Sequence, residues 1–153
     1  MSTDTDYEVI IVGAGPVGLL LGILLGQGGI RTLLVEKSLT SPWQSMAIGI
    51  TPPSLEILAR VGLAETFINE GVKVDHARIF EEKKLRGELR FNSLTGHYPF
   101  ILSLPQTKTV SLLEKKLEHF SSVRIQRQCL FLTAEEEHNH IKVGLRPDVN
   151  QDQ

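Results

Sequence analysis

The pattern of apolar and polar positions opens with a β-branched run, Val9-Ile10-Ile11-Val12, which reads as a strand. A glycine-rich turn, Gly13-Ala14-Gly15-Pro16-Val17-Gly18, follows at once, and then a long apolar stretch from Leu19 to Leu25. The spacing of Val17, Leu20, Leu21, Leu24 and Leu25 predicts a helix. Gly18, Gly22 and Gly26 recur every four residues and so share one helix face. Each glycine inside a helix costs about 1 kcal/mol against alanine, so the repetition predicts a backbone pressed against a sheet. Gly28-Gly29 ends this helix, and Arg31 to Glu36 reads as a second strand finishing in an acid.

Beyond Glu36 the pattern becomes more varied. Met1 to Asp6 is a polar, frayed start, and Ser38 to Gln44 is a loop punctuated by Ser41-Pro42. Thr51-Pro52-Pro53-Ser54 predicts a helix start with Thr51 as N-cap; Leu55, Leu58 and Ala59 make its apolar face, and Gly62 closes it. Leu63 to Glu70 reads as a short helix stopped by Gly71. Alternation from Val74 to Arg90 predicts two antiparallel strands, with Lys83, Lys84 and Arg86 in a solvated turn. Gly96-His97-Tyr98-Pro99 is a turn and Phe100 to Leu104 a short strand. Gln106 to Phe120 returns to helical period, with Val110, Leu113, Leu117 and Phe120 as its stripe. Val123 to Ile125 reads as a strand, and Cys129 to Thr133 with Ile141 to Leu145 as a hairpin around residues 134–140. Arg146 to Gln153 is polar and shows no packing pattern.

At 153 residues, with 41% apolar and 22% charged residues, the chain has room for one ordinary domain with a real core. A net charge of −2 supplies no basic surplus, so nucleic acid and acidic membrane are not expected partners. The single Cys129 excludes an intrachain disulfide framework and fits a cytoplasmic, reducing setting; in its apolar run it reads as a buried structural thiol. Val9 to Ile30 carries no charge and is long enough to span a bilayer. Pro16 and the glycines interrupt it, Arg31 leads directly into a strand, and Asp4, Asp6 and Glu8 precede it where a signal peptide is positive, so no membrane role is favoured.

The chemistry lies in the opening unit. The turn fits G-x-G-x-x-G in a strand–turn–helix–strand context, where it means dinucleotide binding. Gly13 permits the tight turn, Gly15 lets a pyrophosphate approach the backbone, and Gly18 lets the helix lie close on the sheet. The helix N-terminus offers unpaired N–H groups to phosphate, and Pro16 suits its first turn. Glu36, 18 residues after Gly18, stands near the spacing of an acid that accepts from a ribose hydroxyl. His138 and His140 beside three glutamates have metal-ligand chemistry, but with no Cys or further His nearby they read as a solvated hairpin tip. No catalytic residue and no metal site is assigned. Trp43, the only tryptophan, reads as loop packing or exposure more readily than as a ligand stack.

These residues resemble a known family. Val9 to Lys37 resembles the FAD-binding start of the aromatic-ring flavoprotein monooxygenases, the p-hydroxybenzoate hydroxylase-like group. Ala47 to Leu58 with Val61-Gly62-Leu63, Tyr98 to Gln106, and Thr107 to Leu117 resemble three further stretches of that family, so the likeness covers about residues 7–146. The resemblance implies that Gly13, Gly15 and Gly18, with the backbone of Ala14, Pro16 and Val17, hold the FAD pyrophosphate. It implies that Glu36 holds the adenosine ribose, that Lys37 lies near the adenosine end, and that Gln106 approaches the flavin or its diphosphate linker. Met46 stands where the family usually has Arg, and Lys108 and Val110 where its helix often has Arg and Glu. Two later family motifs, an Asp-Gly and a Gly-Asp segment, are absent from these residues.

The expected fold is therefore α/β: a partial Rossmann-like FAD/NAD(P)-binding domain in three layers with a small β excursion. Residues 1–153 form a single partial domain: a βαβ unit and following helices over 1–71, the excursion towards a substrate domain over 72–105, a return helix, strand and hairpin over 106–146, and a polar tail over 147–153. Its parallel sheet has three strands, near Val9, Thr32 and Val123, with an uncovered edge. The family's reaction is hydroxylation of an aromatic or polyketide-like substrate with NAD(P)H as co-substrate and O2. The chain is expected to be the N-terminal part of that design and inactive alone. Two alternatives stand beside it: a non-catalytic module complemented by a second chain, and a small NAD-binding protein.

Overall fold

The structure is a computed structural model that describes residues 7–39 and 49–147. The expectations for Met1 to Asp6, Ser41-Pro42, Trp43, Met46, Ala47-Ile48 and the tail beyond Pro147 lie outside those residues. The elements run β1 (Val9–Val12), α1 (Pro16–Gln27), β2 (Thr32–Val35), β3 (Gly49–Ile50), α2 (Pro52–Arg60), α3 (Ala64–Glu70) and β4 (Val72–Val74). There follow β5 (His76–Glu81), β6 (Lys84–Arg90), a 3-10 turn (Phe91–Ser93), β7 (Ile101–Ser103), α4 (Gln106–Leu117), β8 (Val123–Gln126), β9 (Cys129–Glu137) and β10 (His140–Pro147). The chain divides into two compact units, Met1–Pro42 with Val110–Gln153, and Trp43–Thr109.

The first unit is built on a parallel sheet of order β1-β2-β8, the three strands foreseen. Val9 pairs with Thr32 and Thr32 with Val123, so the three strand ends come out level. The central strand β2 is buried at all four positions, which is why Thr-Leu-Leu-Val shows no alternation. Its Leu34 faces α1, while Leu33 and Val35 pack with Cys129, Tyr7, Ile10 and Leu145. Helix, parallel sheet and the β9–β10 hairpin thus form three layers.

Glycine fixes how closely α1 lies on this sheet. A Cβ at Gly22 would stand 3.0 Å from a Leu34 methyl, and one at Gly26 would stand 2.8–2.9 Å from Phe120 and Val123 atoms. The glycine face is therefore the packed face, together with Leu19 and Ile23. This corrects the apolar stripe expected for the helix: Val17 is 82% exposed, and Leu21 and Leu24 also face outward. The helix is apolar on every side, so periodicity could not choose a face; the need for close approach did.

The hairpin also departs from expectation. β9 and β10 run to a two-residue turn at His138-Asn139, so Glu135, Glu136 and Glu137 are strand residues opposite Lys142, Ile141 and His140. Arg146 and Pro147 belong to β10 rather than to a polar tail. The outer half of this hairpin is exposed on both faces, so burial imprints no alternation on its sequence.

The second unit holds a β3-β7-β4 antiparallel sheet, helices α2 and α3, and the separate β5–β6 hairpin. Leu55, Leu58, Val61, Phe67, Leu102 and Leu104 are buried there, whereas Ala59, expected on the α2 face, is exposed. Thr51 occupies the N-cap position, but its hydroxyl lies 3.1 Å from Ser54 Oγ and caps no backbone N–H. The β5–β6 turn is Glu82-Lys83, both at positive φ, so Lys84 and Arg86 are strand residues.

Candidate functional site

The glycine turn leaves β1 at the level where β2 ends, because Gly13 N–H donates to the Val35 carbonyl at 2.7 Å. Gly13 has φ +104, a conformation only glycine adopts readily. Gly15 is the N-cap of α1, and Leu19 N–H already closes the first helical turn onto the Gly15 carbonyl at 2.9 Å. A Cβ built on Gly13 or Gly15 meets no heavy atom within 4 Å, so the outer side of the turn is open. A Cβ on Gly18 would fall 2.1 Å from the Gly13 carbonyl oxygen. The three glycines thus differ in geometry: Gly13 lies at positive φ, Gly15 faces open space, and Gly18 is pressed against the Gly13 carbonyl.

Glu36 follows β2 directly and is held from several sides. Its N–H donates to the Gln126 carbonyl at 2.9 Å, and its carbonyl accepts from Cys129 N–H at 3.0 Å. Its carboxylate Oε2 accepts from Ala14 N–H at 2.8 Å, and Oε1 from Ser38 N–H at 2.9 Å. Burial alone raises the carboxyl; the N–H groups of Ser38 and Ala14 and the Arg127 charge outweigh it and hold Glu36 below the ordinary carboxylate range. The Arg127 guanidinium in turn donates to Glu114 of α4.

Ala14 N–H is therefore committed to Glu36. Pro16 has no N–H, so at the turn the N–H groups of Gly15, Val17 and Gly18 are those with no acceptor among the described residues. They sit at the start of a 12-residue helix, where the peptide dipoles favour an anion. Open backbone, three free donors and an adjacent fixed carboxylate fit a dinucleotide whose pyrophosphate meets the turn and whose ribose meets an acid. Val12 and Val17, both exposed, add apolar surface beside the turn.

Lys37 is exposed in the bend after Glu36. Gln106, half-buried, is the first residue of α4 and belongs to the second unit. Ser38 and Arg127 were not singled out from the sequence. Arg127 was legible in principle: Val35 is in register with Gln126, so the residues that follow the two strands must be neighbours. Cys129 is 1% exposed, and burial pushes its thiol up. Among the described residues no three His, Cys, Asp or Glu side chains gather as metal ligands; His140 lies 3.4 Å from Glu137 instead. Among the same residues no helix is long and apolar enough to cross a membrane.

Comparison with known proteins agrees with this geometry. The profile of the FAD binding domain family matches residues 6–153. An uncharacterized aromatic compound monooxygenase of Bacillus subtilis is 35% identical over 108 residues, covering 71% of this chain and 21% of the relative. Rifampicin monooxygenase of Streptomyces venezuelae is 34% identical over 142 residues, 93% of this chain and 27% of that protein. The crystal structure of p-nitrophenol 4-monooxygenase from Pseudomonas putida superposes with a TM-score of 0.84 at 23% identity, over 90% of this chain and 35% of that one, a likeness of fold. The chain spans about a quarter of the length of the relatives it matches. With a family profile matching nearly its whole length, the chain belongs to the FAD binding domain family of the flavin-dependent aromatic monooxygenases.

Proposed function

We propose that this chain grips the adenosine diphosphate end of FAD, as the N-terminal portion of a flavin-dependent monooxygenase that hydroxylates an aromatic or polyketide-like substrate with NAD(P)H and O2. When bound, the flavin supplies the redox chemistry; the residues here bind and orient it. The observation that carries the reading is the open glycine turn with unclaimed N–H donors beside the Glu36 carboxylate. In this reading Gly15, Val17 and Gly18 face the pyrophosphate, Gly13 and Ala14 shape the turn, Pro16 starts the helix, and Glu36 accepts from the ribose. Lys37 lies towards the adenosine, and Gln106 approaches the flavin or its diphosphate linker. The organisation proposed is a single partial domain over 1–153, with 72–105 reaching towards a substrate domain. The chain spans about a quarter of its relatives, and the part of the reaction proposed for its residues is binding and orienting FAD. Its single buried Cys129 fits a cytoplasmic setting.

Thermal-shift titration with FAD against NAD tests the reading. FAD is expected to raise the melting temperature and NAD to compete weakly; stabilisation by NAD alone would favour a small NAD-binding protein instead. A second reading, complementation by another chain, is favoured by the half-exposed Ile79, Phe80, Leu85 and Leu89 of the β5–β6 hairpin. A stoichiometric complex on co-purification supports it, and a strict monomer by light scattering counts against it.

A further inference from the structure

The geometry points to a second role for Glu36: it is the clasp that sets the glycine turn before any cofactor arrives, with Ala14 N–H serving this carboxylate rather than a phosphate. The inference deepens the reading of Glu36 as a ribose acceptor, and it concerns the ligand-free chain.

Four observations carry it. The two carboxylate oxygens are used separately, Oε2 by Ala14 N–H at 2.8 Å and Oε1 by Ser38 N–H at 2.9 Å. The contact with Ala14 spans 22 residues of chain and joins the turn after β1 to the end of β2. The Glu36 backbone is itself pinned, by Gln126 and Cys129, so the carboxylate is delivered by the sheet rather than by a free loop. Gly13 N–H is held by Val35, so consecutive peptides of the turn are tied to consecutive residues of β2 and its extension.

The consequence is a division of labour along the turn. A carboxylate oxygen cannot share an N–H with a phosphate oxygen without placing two anions at contact, so Ala14 is withdrawn from phosphate binding. The donors of Gly15, Val17 and Gly18 remain, and the clasp fixes the peptide immediately before them. A carboxylate has about four lone-pair sites. Two are filled by the Ala14 and Ser38 N–H groups, the Ser38 hydroxyl also interacts with the carboxylate, and room remains for a donor such as a ribose hydroxyl. Glu36 is thus a positioning residue for the phosphate cradle as well as a contact for the sugar. The charged group that faces it from beyond β8 is Arg127, itself paired with Glu114 of α4; Lys37 is its titratable chain neighbour, and the buried Cys129 donates its N–H to the Glu36 carbonyl.

Nuclear magnetic resonance of the ligand-free chain between pH 3 and 7 tests this without FAD. The Ala14 and Ser38 amide signals are expected to move together, with one midpoint shared with the Glu36 carboxyl carbon and lying below the ordinary glutamate range. In Glu36→Ala both acceptor oxygens are gone, so both amides lose the titration and Ala14 N–H exchanges with solvent about tenfold faster or more. In Arg127→Gln the shared midpoint moves up. An Ala14 amide that stays flat while the Glu36 carboxyl titrates overturns the inference, as does an Ala14 exchange rate unchanged by Glu36→Ala. Loss of FAD binding alone would overturn the ribose reading and leave the clasp standing.

Discussion

Replacing Gly18 by alanine separates two opposing effects whose sizes follow from the structure. In an ordinary helix the change stabilises by about 1 kcal/mol, because alanine loses less backbone freedom. Here the added Cβ would lie 2.1 Å from the Gly13 carbonyl oxygen and 3.2 Å from its carbon. The obstacle is backbone, so no side-chain rotation relieves it; either the turn opens or α1 moves off the sheet. Overpacking of this kind costs about 3 kcal/mol at its upper end, which leaves Gly18→Ala destabilised by about 2 kcal/mol after the helical gain. Gly22→Ala is the comparison. Its Cβ meets methyl ends of Leu34 at 3.0 Å and Leu117 at 3.3 Å, which can give way by a few tenths of an ångström. The helical gain then roughly offsets the crowding, and the variant stays within about 1 kcal/mol of the parent. Urea denaturation of the three proteins, followed by far-ultraviolet circular dichroism, reads the order directly. A Gly18→Ala midpoint at or above the parent, or equal losses in both variants, refutes the reasoning.

Three other outcomes follow from the same structure. Because the Glu36 carboxyl is held low, the folded chain binds fewer protons there than the unfolded chain; its contribution is complete above the ordinary glutamate pKa and disappears as pH falls through the depressed folded value. Denaturation midpoints measured from pH 7 down to 3 should therefore fall less steeply in Glu36→Gln than in the parent. The Cys129 thiol, buried and pushed up, should react with a thiol reagent at the unfolding rate and become fully reactive in denaturant. Glu82 and Lys83 both adopt positive φ in a two-residue hairpin turn, so Glu82→Asn combined with Lys83→Gly should stabilise the hairpin by about 1 kcal/mol, seen as slower amide exchange across β5 and β6.

Strands, helices and the glycine turn were legible because each is written in local chemistry: a β-branched run, a G-x-G-x-x-G spacing, prolines at a helix start. The three-strand parallel sheet was legible from the same signals. What failed was whatever depends on partners. The face of α1 could not be read from a helix apolar all round, and only the close approach of Leu34 and Phe120 to Gly22 and Gly26 decides it. The outer β9–β10 hairpin was hidden because neither face is buried, so Glu135 to Glu137 looked like a loop. At the site, Glu36 was found by its distance from the turn, but its grip on Ala14 and Ser38 needed the register of β1 and β2. Arg127 needed the further register of β2 and β8.

The central claim, that the open glycine turn is the cofactor cradle, is tested most directly by titrating FAD into the purified chain and into Gly15→Val while following flavin fluorescence. Gly15 has open space where a Cβ would project, so valine is accommodated at the turn for about 1 kcal/mol, the cost of a poorer N-cap, and it fills the approach. Saturable binding to the parent chain is expected, with its loss in Gly15→Val at a stability lowered by only about 1 kcal/mol. FAD binding that is undiminished in Gly15→Val, or no saturable binding to the parent, would contradict it.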